Sequence, residues 1–320
     1  MIFAIGEILI DFIAVEPIDL KNVRTFEKHA GGAPANMVVG LRRLNVPSAL
    51  ISKVGNDPFG EYLIEKLKEE KVNTKYIIRD HETHTGISFV QLKQAQPSFI
   101  LYDKTAYFNL RSEEIDESFL KEADLLHFGG VMLSREPSRS ACFETVSWAR
   151  ERKIPISFDV NLRLDLWRNR MNELLKSMKK ALTLAEIIKL GEGELKFLEK
   201  NGINLGDLRT RLIAITMGER GSELIYEDLK IKIPAEKVEA VDPTGAGDAY
   251  MAALLAGLFA LGKLKYQKLN EKELELIGRF ANIVAGISTT KRGAWSVPKI
   301  STLEKREELR PIVKKLKTLS

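Results

Sequence analysis

Four short, almost wholly apolar runs recur along the middle of the chain: DLLHFGG (124–130), KIPISFDVN (153–161), AEIIKLG (185–191) and LIAITMG (212–218). Each ends in glycine or a polar residue, and amphipathic stretches separate them. Runs this short and apolar on both faces predict the parallel strands of a sheet covered by helices. Phe3–Ile10 and Ala49–Val54 extend the pattern upstream as strands, and Asn36–Leu44 reads as a helix. After the second strand comes Gly55-Asn56-Asp57-Pro58, where Asp57 can cap a helix and Pro58 can occupy its first turn. The expected fold class is therefore α/β, a doubly wound, mostly parallel sheet with helices on both faces. In such folds ligands collect at the carboxyl ends of the strands. No repeat or linker divides residues 1–320, so one domain is expected.

Two segments alternate differently. Ile10–Glu16 and Thr85–Leu110 read as half-exposed antiparallel strands with a turn near Gln94–Pro97. They predict a small second sheet, either an edge hairpin or a lid. The charge is interleaved, as in EYLIEKLKEEK (61–71), and its net is only +5, so no nucleic-acid surface is indicated. The single cysteine, Cys142, has neither a disulfide partner nor a CxxC companion. The opening MIFAIGEILIDF lacks a basic leader and carries Glu7 and Asp11 in its apolar stretch. The apolar run Ala249–Leu261 is too short for a bilayer. A cytoplasmic protein without membrane or nucleic-acid partners is expected.

The stretch EAVDPTGAGDAYMAALLAGL (239–258) poses a chemical question. Glycines opening a helix prepare an anion site, yet Asp248 would repel an anion placed there. A dinucleotide fingerprint would need a small residue where Tyr250 stands, and no GxxxxGK[ST] loop occurs. Phosphoryl transfer reconciles the two charges. The amides of Gly245, Ala246 and Gly247 would face the transferred group, while Asp248 would face the acceptor hydroxyl and accept its proton. A second glycine site, HAGGAPANMVVGLRRL (29–44), allows close backbone approach, and Asn36 projects from its first helical turn.

GGAPAN and DPTGAGDA, in this order, resemble the two signature motifs of the PfkB (ribokinase-like) family of carbohydrate kinases. The similarity runs from GEILID at residue 6 to RGAWSVP near residue 295. It implies a Rossmann-like domain with a β lid formed by about 10–32 and 85–110, often shared across a homodimer, and the use of ATP with Mg2+. Carried over by position, Asp248 is the catalytic base, and Gly245, Ala246 and Gly247 form the anion hole. Asp11, Gly31, Gly32 and Asn36 hold sugar hydroxyls. Asp159, Asn161 and Arg163, with Tyr102, reach substrate. Lys189, Glu194, Thr216, Met217, Gly218, Arg220, Gly221 and Asn282 serve the nucleotide, Glu194 also touching Mg2+ indirectly. Gly191 departs from the family's usual asparagine in that region. Asp242, Thr244, Gly293 and Ser296 resemble a site for a monovalent cation such as K+.

GEILID, GGAPANMVVGLRRL and FDVNLRLDLW look most like the fructokinase branch. Tyr102, Tyr107 and Arg163 keep 2-keto-3-deoxygluconate kinase as the alternative, since a carboxylate substrate wants a cationic or phenolic partner. Ribokinase and nucleoside kinase follow. A non-catalytic nucleotide- or sugar-binding regulator is the reading from another class. His127 is expected to be a packed strand-end residue, and Trp148, Trp167 and Trp295 to lie in the core or a cleft wall.

Overall fold

The apolar runs become strands of a nine-stranded sheet in the computed structural model, which describes residues 1–93, 96–208, 210–265 and 267–319. In chain order the strands are β1 (Ile2–Ile5), β2 (Leu9–Ala14), β3 (Phe26–Gly31), β4 (Ser48–Gly55), β5 (Ile77–Asp80), β6 (Gly86–Lys93) and β7 (Gln96–Leu101). They continue as β8 (Leu125–Gly129), β9 (Ile156–Asp159), β10 (Ile187–Gly191), β11 (Leu212–Thr216), β12 (Ser222–Tyr226) and β13 (Leu229–Ile233). The large sheet runs β13-β12-β11-β10-β9-β8-β1-β4-β5. It is parallel from β11 to β5, and its other edge closes with two antiparallel pairings. The helices are α1 (Ala33–Arg43), α2 (Pro58–Glu69), α3 (Ser138–Glu151), α4 (Leu164–Trp167) and α5 (Met171–Leu184). After them come α6 (Glu192–Lys200), α7 (Ala246–Ala260), α8 (Glu271–Ser288) and α9 (Arg310–Lys317).

Successive strand residues point to opposite faces, so each strand feeds two cores. Ile2 and Ala4 join the layer built with α1, α2, α7, α8 and α9. Phe3 and Ile5 join the layer built with α3, α5 and α6. A strand that must be apolar on both faces reads as a continuous run, which is why β8 to β11 are plain in the sequence. Asp57 caps α2 as its sequence position predicts, accepting from the Phe59 and Gly60 amides at 3.0 and 2.9 Å.

The run Phe3–Ile10 is corrected. It is not one strand but the end of β1 and the start of β2, parted by Gly6-Glu7-Ile8. β2 leaves the large sheet to join a second one, ordered β3-β2-β6-β7. There β2 pairs antiparallel with β3 and parallel with β6, and β6 pairs antiparallel with β7. The tip of the β6–β7 turn, 94–95, lies outside the described residues. The small sheet stops at Leu101, and Tyr107 and Phe108 return to the core of the large one. Among the described residues no helix is long and apolar enough to cross a membrane.

The strand order reverses at β1. From it the chain builds β4 and β5 on one side and β8 onward on the other. Loops leaving β1 and β8 therefore diverge at their carboxyl ends and leave a crevice.

Candidate active site

That crevice is occupied by polar groups from every side. β1 delivers Glu7 to it, the loop after β9 delivers Asn161 and Arg163, and the small sheet roofs it with Asp11 and Ser88. Gly32, Ala33 and Asn36 come from the start of α1, and Thr244, Gly245 and Asp248 from the start of α7. Leu9, Leu101 and Val131 supply apolar walls. Two helix N-termini thus meet the ends of the central strands.

Gly245 caps α7 in the left-handed conformation, with φ of 78°. A β-carbon there would lie 2.6 Å from that of Ala294, so both backbone and space require glycine. The turn brings Asp248 into the first turn of α7. Asn36 Nδ2 donates to Asp248 Oδ2 at 2.7 Å, and Trp295 Nε1 donates to Asn36 Oδ1 at 2.9 Å. Behind the helix start, Lys189 Nζ lies 3.0 and 3.1 Å from the two oxygens of Asp159. A methyl group on Gly247 would sit 2.7 Å from the same Nζ, so the ammonium abuts the α7 N-terminus.

The crevice is electrostatically tense. Burial raises the Asp248 carboxyl above the ordinary range, opposed by Lys189, by the Asn36 hydrogen bond and by Arg163. Burial likewise pushes Asp11 up to about 6, against the lowering effect of the Ser88 hydroxyl that donates to it. Burial would lower the Lys189 ammonium, but the Asp159, Glu194 and Asp248 carboxylates outweigh it and raise it. Glu7 is the extreme case. Its Oε1 accepts from the Ala33 amide at 3.0 Å, whereas its Oε2 is buried without a partner. Burial pushes this carboxyl up to about 8 from an ordinary 4.5.

Glu7 carries a stability signature. Between its ordinary and folded pKa values the folded chain holds a proton that the unfolded chain has lost. Its contribution to stability therefore falls as pH rises through that window. Glu7→Gln keeps the acceptor for Ala33 and has no proton to lose. The variant is expected to gain about 1–3 kcal/mol over wild type from about pH 5 to about pH 8, read from urea midpoints. A difference independent of pH would refute the burial argument.

The crevice gathers Asp11, Gly32, Asn36, Asn161, Arg163, Thr244, Gly245 and Asp248 of the residues expected from sequence. Gly31 stands directly against the Asp11 carboxylate. Other expected residues lie elsewhere or are already engaged. Tyr102 does not line the crevice; it is 50% exposed, packing edge-on to Phe89. Tyr107 is fully buried. Asp159 faces Lys189 and not the open space. The Ala246 amide donates to the Pro243 carbonyl at 3.1 Å, a turn bond that occupies one of the three donors expected to form an anion hole.

Of the residues expected to serve the nucleotide, Thr216 ends β11, and the following Met217–Gly221 loop is closed by the Met217 amide donating to the Gly221 carbonyl at 2.8 Å. Arg220 is exposed and pairs with Glu192 at 2.6 Å. Glu194 accepts from the Leu162 and Gly191 amides, both at 2.6 Å, and so ties α6 to the loop after β9. Asn282, expected beside adenine, spends its amide nitrogen on the Ile233 and Pro234 carbonyls at 3.0 and 3.1 Å. Asp242 accepts from the Thr244 and Gly293 amides, both at 2.9 Å, and Ser296 Oγ donates to the Gly293 carbonyl at 2.5 Å. His127 is packed: its Nδ1 lies 2.9 Å from Ser157 Oγ, and burial drives its pKa down to about 3. Glu7, Ser88 and Trp295 were not read as site residues. The signal for Glu7 was present, a lone charge at the end of an all-apolar strand.

A family model described as pfkB family carbohydrate kinase matches residues 1–300. The chain is similar to an uncharacterized sugar kinase, PH1459, from Pyrococcus horikoshii, whose crystal structure in complex with ATP superposes with a TM-score of 0.89. Identity there is 48%, covering 98% of this chain and 100% of the other. Fructokinase-2 of Zea mays is 32% identical over 97% of this chain and 93% of its own. A double mutant of the fructokinase from Vibrio cholerae O395, in fructose, ADP and potassium ion bound form, is 28% identical with a TM-score of 0.82. That match covers 95% of this chain and 97% of the other.

Proposed function

The chain belongs to the pfkB family of carbohydrate kinases and is a sugar kinase, and from that premise we propose that it phosphorylates a ketohexose in the manner of a fructokinase. One observation carries the choice of acceptor. Glu7, Asp11 and Asp248 surround the crevice, and Arg163 is the guanidinium that faces them. Asp11 and Asp248 present carboxyl acceptors to the crevice beside that single lining guanidinium, which favours a neutral polyol, whose hydroxyls donate, over an anionic sugar acid. The Vibrio cholerae fructokinase, crystallised with fructose and ADP, has the same fold.

In this reading Asp11, Gly31, Gly32, Asn36, Asn161 and Arg163 hold the sugar, with Leu9 and Val131 against its carbon skeleton. Asp248 takes the proton of the acceptor hydroxyl, which its burial above the ordinary carboxylate range suits. ATP supplies the transferred phosphoryl group. The α7 N-terminus and the Lys189 ammonium beside it fit that polyanion, since they bring donors and positive charge to one place. Thr216, Met217, Gly218, Arg220 and Gly221 would flank the nucleotide, with Asn282 behind them.

Among the described residues no group of three or more His, Cys, Asp or Glu could hold a metal. Mg2+ would then ride on phosphates and water, with Glu194 acting through that shell. Thr244 Oγ1, buried without a partner beside the Asp242 carboxylate, fits a K+ site formed with Gly293 and Ser296. The small sheet acts as the lid that excludes water. Its exposed Val15, Ile18, Ile100 and Tyr102 would be covered in a homodimer, and a monomer mass in light scattering at micromolar concentration would refute that.

The second reading, 2-keto-3-deoxygluconate, is favoured by Arg163 alone, because Tyr102 and Tyr107 do not line the crevice. The deciding experiment is ADP release with MgATP across fructose, 2-keto-3-deoxygluconate, ribose, adenosine and fructose 6-phosphate, beside a control without acceptor. Release with fructose supports the proposal. Release with the sugar acid and not with fructose transfers it to the second reading, and silence with every acceptor while ATP still binds would point first to an acceptor outside this set and only second to a binding protein without turnover.

A further inference from the structure

Trp295 was expected only as a wall residue, yet it is bonded to the centre of the site. We propose that Trp295 is a positioning residue for phosphoryl transfer, acting through Asn36 on Asp248. The proposal rests on Asp248 as the base.

The chemistry of the three groups fixes their order. An indole N–H can only donate, and an ionised carboxylate can only accept. Asn36, between them, offers one accepting and one donating end. With Trp295 Nε1 on its Oδ1 at 2.9 Å, its amide nitrogen must face Asp248, where it donates at 2.7 Å. Turning the amide over would set N–H against N–H and oxygen against oxygen. Asn36 is only 5% exposed, so water offers little substitute. The loop that carries Trp295 is itself tethered, since the Gly293 amide donates to Asp242 Oδ2 at 2.9 Å. Asn36 donation also lowers the Asp248 carboxyl against its burial. Removing the indole donor leaves Asn36 Oδ1 without its anchor, loosens the amide that donates to Asp248 and so raises the Asp248 pKa.

The test uses Trp295→Phe together with benzothienylalanine at 295, which keeps the ring shape and lacks only the N–H. Each is also combined with Asn36→Ala. We expect kcat near neutral pH to fall about five- to tenfold, the worth of one hydrogen bond. The acid limb of the kcat profile should move up by about half to one pH unit. In the Asn36→Ala background the change at 295 should add nothing further. An unmoved acid limb, a loss confined to KM, or additive losses in the double variants would overturn the proposal. A wild-type chain without turnover on any acceptor would instead remove the base assignment, and this proposal with it.

Discussion

Replacing Asp248 by asparagine is expected to lower kcat by about a thousandfold or more, while sugar and ATP still bind. General-base catalysis is typically worth about 10²- to 10⁴-fold. Asparagine has nearly the same shape and can still accept from Asn36, so the 2.7 Å contact survives. Only the capacity to take a proton is lost. The pairing of turnover with calorimetric binding is what makes the result informative. Lost turnover with intact binding assigns the base, lost binding would indicate a collapsed site, and activity within about tenfold of wild type would refute the assignment.

The second large effect is expected at Lys189. Its ammonium is buried against Asp159 and stands close to Asp248 and Glu194. Lys189→Met keeps the length of the side chain and removes the charge, leaving a buried carboxylate without its counter-ion. Breaking such a pair from one side costs about 3–5 kcal/mol. The sign with pH follows from the carboxyls. Burial already raises Asp159 and Asp248, and without Lys189 both rise further. At acid pH they are protonated and the missing cation matters less, so the deficit should shrink from about pH 8 to about pH 5. Urea midpoints at the two pH values measure it. Lys189→Met combined with Asp159→Leu should recover most of the stability and none of the turnover. A single-variant loss below about 1 kcal/mol would show that the pair does not carry charge as described.

These effects converge because the site is built by opposition. Burial raises Asp248, and Lys189, Asn36 and Arg163 counter it. A base raised above the ordinary carboxylate range suits proton transfer from a hydroxyl.

Much of this was legible without coordinates. The strands β8 to β11, the Asp57 cap and the glycines that open α7 ahead of Asp248 are local features. Each is written in a few consecutive residues, because backbone preference and the two-residue alternation of strands act over that range. The separate sheet formed by the two alternating segments was legible for the same reason.

What tertiary structure decided was partnership. Phe3–Ile10 has one apolar pattern but serves two sheets, since burial does not say against what a residue is buried. Tyr102 looked like a substrate ligand and stands half exposed outside the crevice. Lys189 and Asp159 looked like separate ligands and are one ion pair. Asn36 and Asp248 are 212 positions apart, and Asn36 and Trp295 are 259. Hydrophobic periodicity determined which residues enter the interior. Which of them meet there depended on strand order, on where two helices begin, and on the need of every buried polar group for a partner.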